Sequence, residues 1–146
     1  MVLMWRGKAG SWKDNLTTAG VKNLQIWKAF FESLPWYDLV PDQTHVIGVA
    51  GYGTPALTGP FASNDCVTLA ATANGRCAAV YFPQGGSNRL TVALGGFAGP
   101  VTAKWVDPTT GGMTTIGTVP NRGSHDFTPS GNNAARDPDW ALLLTA

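Results

Sequence analysis

Few side chains in this 146-residue sequence have the chemistry of a reactive centre. Histidine occurs only at His45 and His125, and no serine or cysteine stands beside either in a recognisable nucleophile context. Asp42 precedes His45 by three residues, a spacing at which both could ligate one metal, but two ligands do not make a metal site. Glycoside chemistry needs two carboxyl groups held across a cleft. Asp107, Asp126, Asp137 and Asp139 all fall at strand ends or in turns, where aspartate is favoured because its side chain caps nearby backbone groups. The Gly-rich runs GGSN (85–88) and TTGG (109–112) lack the strand–loop–helix setting and the lysine of a phosphate loop, so they read as hairpin connectors. We therefore expect no catalytic residue, no metal and no cofactor. Two aromatics on strands, Tyr81 and Trp105, are the candidate ligand-binding residues, because sugar-binding sandwiches use such rings as stacking platforms. The competing reading is that large rings on strands fill cores.

The elements that position these residues centre on Cys66–Leu94. Asn74-Gly75 lies between two runs of small and β-branched residues and predicts a two-residue type I′ hairpin turn. In that register Thr72 faces Cys77, Ala71 faces Ala78 and Leu69 faces Val80. One face then carries Val67, Leu69, Ala71, Ala78, Val80 and Phe82, a core face. The milder opposite face carries Thr68, Ala70, Thr72, Cys77, Ala79 and Tyr81. A turn over 83–88 leads into Leu90, Val92 and Leu94, which alternate with polar or small residues and extend the hairpin into a three-strand meander.

Further along, Val101–Val106 and Met113–Val119 form a second hairpin, Ser124–Thr128 a short strand, and Asp139–Thr145 a closing strand. Trp140, Leu142 and Leu144 face one way in that last strand and Leu143 the other, so it belongs mid-sheet or under a helix. His45–Val49 is a weak first strand and 51–64 a loop. Strands at about 8–12-residue spacing predict a mainly β fold, an antiparallel β-sandwich of about seven to eight strands preceded by one amphipathic α-helix.

That helix is predicted over Thr18–Ser33. Val21, Leu24, Trp27, Phe31 and Leu34 recur at helical spacing with Phe30 beside them, and Pro35 stops the periodicity. LPWYDLVPD (34–42) reads as a rigid connector. Four of the six tryptophans fall in this first segment, which is more aromatic than one helix beside a small sheet requires.

Ten Lys and Arg against nine Asp and Glu leave no basic stripe, so nucleic acid is excluded as a partner. No membrane span is present, and the apolar opening Met1–Trp5 is too short for a secretory leader. The chain is read as cytosolic, or as a piece of a secreted parent whose leader lies elsewhere. Cys77 pairs with Thr72 whereas Cys66 lies opposite Pro83, which separates the two sulfurs by roughly 20 Å and forbids a disulfide.

The pieces AAVYFPQGG (78–86), VTAKWVDPTTGG (101–112) and DWALLLTA (139–146) resemble the small β-sandwich family described as a "putative collagen-binding domain of a collagenase". Residues 12–42 resemble the last helical segment of apiosidase-like (DUF4038) glycoside hydrolases, in which a (β/α)₈ barrel precedes this sandwich. The resemblance implies a helical segment over 1–43 and an accessory sandwich over 44–146. A barrel needs about 200 residues, and the family's catalytic carboxylates lie within it, so no catalytic residue carries over. The implied function is a non-catalytic accessory domain packing against or positioning a glycosidase barrel, with a free-standing polysaccharide- or collagen-binding module as the alternative. The implied partners are the barrel or a second copy bound through the aromatic helix, with polysaccharide as a further candidate. Without a barrel, the helix is expected either to fold onto its own sandwich or to self-associate, the latter preferred.

Overall fold

The computed structural model describes residues 16–53, 65–83 and 89–146. Among these residues there is one helix, α1 (Ala19–Glu32), a 3-10 turn at Trp36–Asp38, and nine strands. The strands are β1 (Leu39–Pro41), β2 (Gly48–Ala50), β3 (Thr68–Thr72), β4 (Cys77–Phe82), β5 (Leu90–Ala93), β6 (Val101–Val106), β7 (Met113–Val119), β8 (Ser124–Phe127) and β9 (Trp140–Thr145). A six-stranded sheet runs β1-β3-β4-β9-β6-β7 and a three-stranded sheet runs β2-β5-β8. All pairings are antiparallel. The mainly β sandwich with one preceding helix is as expected, with one or two more strands than the sequence suggests.

Two apolar layers follow from strand alternation. Val67, Leu69, Ala71, Ala78, Val80 and Phe82 point between the sheets, where they meet Leu90, Val92, Leu94, Phe127, Leu142 and Leu144. The other face of the large sheet presents Cys77, Ala79, Val106, Ala141 and Leu143, and α1 covers it with Trp27 and Phe30, joined by Leu34 just after the helix. The milder hairpin face thus meets a second layer rather than water, and the large sheet is the middle of three layers. Strand β9 lies between β4 and β6, buried on both faces, as its doubly apolar sequence requires.

Four expectations are corrected. The three-strand meander does not form, because β5 pairs with β2 and β8 in the other sheet. The position beside β4 lies under the helix and needs apolar residues on both faces, which β9 supplies and β5 does not. Leu90 and Val92 are buried while Thr91 and Ala93 are only half-buried, a pattern suited to an outer sheet. Residues 34–42 are more than a connector: Leu39–Pro41 is an edge strand on β3, where a proline does no harm because its missing N–H would face outward. The first strand of the small sheet is Gly48–Ala50, within and just past the expected His45–Val49, since the backbone of His45–Ile47 is taken up by a turn.

The fourth correction concerns the hairpin turn. The register is as predicted, with Ala71 opposite Ala78 and Leu69 opposite Val80. The turn is not type I′, because Gly75 takes a positive φ of 68° and Asn74 does not. Instead the Gly75 N–H donates to the Thr72 carbonyl at 3.0 Å. The Asn74 side-chain oxygen accepts the Arg76 N–H at 3.1 Å, and the Thr72 hydroxyl accepts the Cys77 N–H at 3.1 Å. Side chains close a four-residue loop that a mirror-image turn would have closed with backbone alone. A Cβ on residue 75 would lie 2.3 Å from the Gly96 carbonyl oxygen, so only glycine fits.

No disulfide joins Cys66 and Cys77. Burial raises the pKa of the Cys77 thiol, which slows its reaction as a thiolate. We expect Cys77 in the folded protein to react with a maleimide far more slowly than Cys66, and both to label after denaturation without reductant. Mass spectrometry of the denatured chain showing one or no adduct would contradict this.

Candidate functional site

Four places bear on function: the Asp42 turn, the loop anchored by Asp107 and Asp139, the two candidate rings, and the face of α1. The Asp42 carboxylate accepts the backbone N–H groups of Val46, Ile47 and Gly48 at 2.8–2.9 Å and the Tyr52 hydroxyl at 2.9 Å. Burial pushes its carboxyl pKa up, but these donors outweigh burial and hold it below the ordinary range. The Tyr52 phenol is pushed up, by burial and then by the adjacent carboxylate. His45 takes a positive φ of 57° and stacks on Tyr52 with ring centroids 3.9 Å apart. Asp42 and His45 therefore build a turn that feeds β2, and their three-residue spacing has a backbone explanation. Among the described residues no three His, Cys, Asp or Glu side chains cluster in a way that could hold a metal ion.

The four acids after residue 100 also have structural partners. One oxygen of Asp107 accepts the Thr109 hydroxyl and the N–H groups of Thr109 and Thr110; the other accepts the Ala134 N–H at 2.9 Å. Asp139 accepts the Tyr81 hydroxyl at 3.0 Å and the Asn133 amide at 2.7 Å. Asp126 accepts the Thr91 hydroxyl at 2.6 Å and lies 3.4 Å from Arg89. The Asp137 carbonyl accepts the Asn133 N–H at 2.9 Å. Asn133 is buried and organises the 129–138 loop through residues that follow it closely: its side-chain oxygen accepts the Ala135 and Asp137 N–H groups and its amide donates to Asp139.

Tyr81 and Trp105 lie on opposite faces of the large sheet. Tyr81 stands under α1, its ring 5.8 Å from Trp27 and edge-on to it. Trp105 points between the sheets, half-buried, with its ring 5.5 Å from Phe82 and 6.3 Å from Trp140. The two rings are not brought together.

Among the described residues, exposed aromatic rings occur elsewhere, on α1 and the turn after it. With 3.6 residues per turn, successive side chains on a helix point about 100° apart. Phe30 is 5% exposed against the sheet, whereas its neighbour Phe31 is 39% exposed. Leu24, seven residues before Phe31 and on the same side, is 51% exposed; Trp36 and Tyr37 are 56% and 73% exposed. Trp27 bridges the two sides, edge-on to Phe30 and stacked on Phe31. The expected stripe of Leu24, Trp27, Phe31 and Leu34 is thus split. Trp27 and Leu34 go to the sheet together with Phe30, while Leu24 and Phe31 face outward. Trp5 and Trp12 lie outside the described residues. Of the two expected fates of the helix, folding onto its own sheet is observed, and an apolar face remains. Among the described residues no helix is long and apolar enough to cross a membrane.

Residues 57–145 match the family described as "Putative collagen-binding domain of a collagenase". No curated protein matches the chain. Among solved structures, one titled "Glycoside hydrolase" superposes with a TM-score of 0.70 at 22% identity, covering 95% of this chain and 28% of its own. A glycoside hydrolase family 5 protein from Bacteroides vulgatus ATCC 8482 superposes with a TM-score of 0.68 at 21% identity, covering 92% of this chain and 26% of its own. The chain therefore spans little more than a quarter of the length of either protein. At these identities the likeness is one of fold.

Proposed function

Because the chain belongs to the family described as "Putative collagen-binding domain of a collagenase", whose fold recurs as a minor part of larger glycoside hydrolases, we propose that it is a non-catalytic accessory domain that packs against and positions a catalytic barrel. The observation that carries this reading is the outward face of α1. Leu24, Phe31, Trp36 and Tyr37 are all exposed beside a helix already seated on the sheet. Several large apolar side chains left exposed on one helix and the turn after it mark an interaction surface. A sugar platform would instead favour clustered aromatics on an open sheet face, and over β4, β9 and β6 the outer face of the large sheet is covered by the helix. The resemblance of residues 12–42 to the end of an apiosidase-like barrel supports the same partner. A second copy meeting this same face is the competing occupant.

Two results are expected. The purified chain should hydrolyse no aryl glycoside or plant polysaccharide above background, and turnover abolished by replacing one of its own aspartates would overturn the reading. The DNA upstream of the Met1 codon should encode a barrel-length catalytic segment. Expressed separately, that segment should co-elute with this chain, and Leu24→Lys with Phe31→Lys should weaken the complex at least ~10-fold, the equivalent of ~1.4 kcal/mol, without lowering the melting temperature. A barrel that binds wild type and double variant equally does not use this face. If light scattering shows the chain dimeric and the double variant monomeric, the face belongs to a second copy.

A further inference from the structure

Asn74-Gly75 shapes the β3–β4 turn and is also a reactive pair. The side-chain amide of an asparagine is an electrophile within reach of the backbone nitrogen of the next residue, and attack closes a five-membered ring. Glycine in that next position has no Cβ to hinder the approach. Of the asparagines in this chain, Asn74 alone precedes a glycine. It is exposed at the tip of the hairpin.

The folded turn ties down both reacting groups. The Gly75 N–H donates to the Thr72 carbonyl at 3.0 Å, so the nitrogen must give up that bond before it can attack. The Asn74 side-chain oxygen accepts the Thr72 hydroxyl at 2.7 Å and the Arg76 N–H at 3.1 Å, which pins the amide with two donors. Thr72 is 4% exposed, and its hydroxyl also accepts the Cys77 N–H at 3.1 Å, so the side chain that holds Asn74 is itself fixed. Gly75 is anchored separately. Its carbonyl accepts the Ala98 N–H at 3.0 Å.

We propose that Asn74 is a latent self-modification site: when the turn opens, the Gly75 nitrogen converts it to aspartate or isoaspartate, and the Thr72 hydroxyl is the latch that holds the reaction back. The Gly75 nitrogen loses its proton to hydroxide and forms a bond to Asn74 Cγ. The bond from Cγ to the side-chain nitrogen breaks, that nitrogen leaves as ammonia with a proton from water, and a succinimide remains. Water, the one co-reactant, then opens either imide carbonyl. Cleavage at Cγ restores the main chain and leaves aspartate at position 74. Cleavage at the main-chain carbonyl leaves isoaspartate, whose backbone runs through Cβ and Cγ and is one atom longer. The longer turn no longer matches the Gly75–Thr72 and Ala98–Gly75 bonds, so isoaspartate should loosen the hairpin. Aspartate keeps the accepting oxygen and should not. The reaction needs neither a catalytic barrel nor a second copy, so it stands or falls separately from the outward face of α1.

Peptide mass spectrometry of the full chain, incubated in mildly alkaline buffer with and without guanidinium, tests the proposal. A protein isoaspartyl methyltransferase distinguishes the two products. In guanidinium Asn74 should be modified faster than any other asparagine. In the native chain it should react at least ~10-fold more slowly, because local opening must precede attack. Thr72→Val keeps the side-chain shape and loses the hydroxyl. It should recover most of that difference with the circular dichroism of wild type, and Thr72→Ser should not. Asp107→Ala weakens the large sheet at the end of β4 away from the turn and should leave the native rate unchanged. Three outcomes overturn the proposal: a native rate equal to the rate in guanidinium, another asparagine reacting faster than Asn74 in guanidinium, or Thr72→Val reacting in native buffer no faster than wild type or Asp107→Ala. The wild-type contrast needs no variant, so it stands as the test even where Thr72→Val does not fold.

Discussion

Replacing Phe30 by alanine will destabilise the protein by about 3–4 kcal/mol, whereas the same change at Phe31 will cost roughly 0.5 kcal/mol or less. The two rings are sequence neighbours of identical chemistry, so the contrast isolates tertiary position. Phe30 is the one fully buried side chain of α1 and fills the contact with Cys77, Val106, Ala141 and Leu143. Removing it leaves a cavity that a helix held at few points closes poorly. Because Thr18 makes no side-chain cap, and a helix of 14 residues is marginal in isolation, part of the loss should appear as local detachment. Hydrogen exchange should then show lost protection in Ala19–Glu32 ahead of the sandwich strands. Equal losses at Phe30 and Phe31 in chemical denaturation would show that the helix is not seated as described. Phe31→Ala should reveal itself instead in weakened association with whatever covers the outward face.

Replacing Asp107 by alanine will cost about 3 kcal/mol, because it orphans a set of donors that one buried carboxylate now satisfies. That carboxylate closes the β6–β7 connection through Thr109 and Thr110 and ties it to Ala134, 27 residues along the chain. Burial pushes the Asp107 pKa up, but the Thr109 hydroxyl and the Ala134, Thr109 and Thr110 N–H groups prevail and hold it below its ordinary 3.8. A carboxylate whose pKa is lower folded than unfolded contributes stability that is fully present above the unfolded value. It is lost as pH falls through 3.8 and on through the folded value. Asp42 is held low in the same way and adds to the same acid loss. Asp107→Asn keeps one acceptor and removes the titrating group, so its stability should fall less steeply than wild type below pH 3.8. Urea denaturation across that range measures both, and parallel profiles for wild type and Asp107→Asn would remove Asp107 from the acid response.

The edge and middle positions of the sandwich were only partly legible in advance. Alternation along Val67–Phe82 assigned every core-facing residue of the first hairpin, because side chains on a strand alternate strictly and a register anchored at Asn74-Gly75 leaves no freedom. The doubly apolar Ala141–Leu144 run marked β9 as a strand covered on both faces. Of the acids read as turn residues, Asp107 does hold local backbone N–H groups, whereas Asp126 and Asp139 take side-chain partners from other strands or loops, which only the tertiary structure supplies. Sequence could not assign strands to sheets: β5 and β9 are both apolar strands, and only competition for the slot beneath the helix sent β5 to the outer sheet.

The helix face and the hairpin turn show the same boundary from the other side. Periodicity alone established α1, its end before Pro35 and its surplus of apolar residues, since these depend on a 3.6-residue repeat and on the chemistry of proline. Which apolar flank would be buried depended on the rotation of the helix on the sheet. That rotation follows from Phe30 fitting over Val106, Ala141 and Leu143, residues more than 70 positions away. Likewise Asn74-Gly75 announced a turn, but its type was decided by Gly96–Ala98 pressing on Gly75. Local periodicity and turn chemistry determined the elements; long-range packing chose their sheets, their facing and therefore the surface left for a partner.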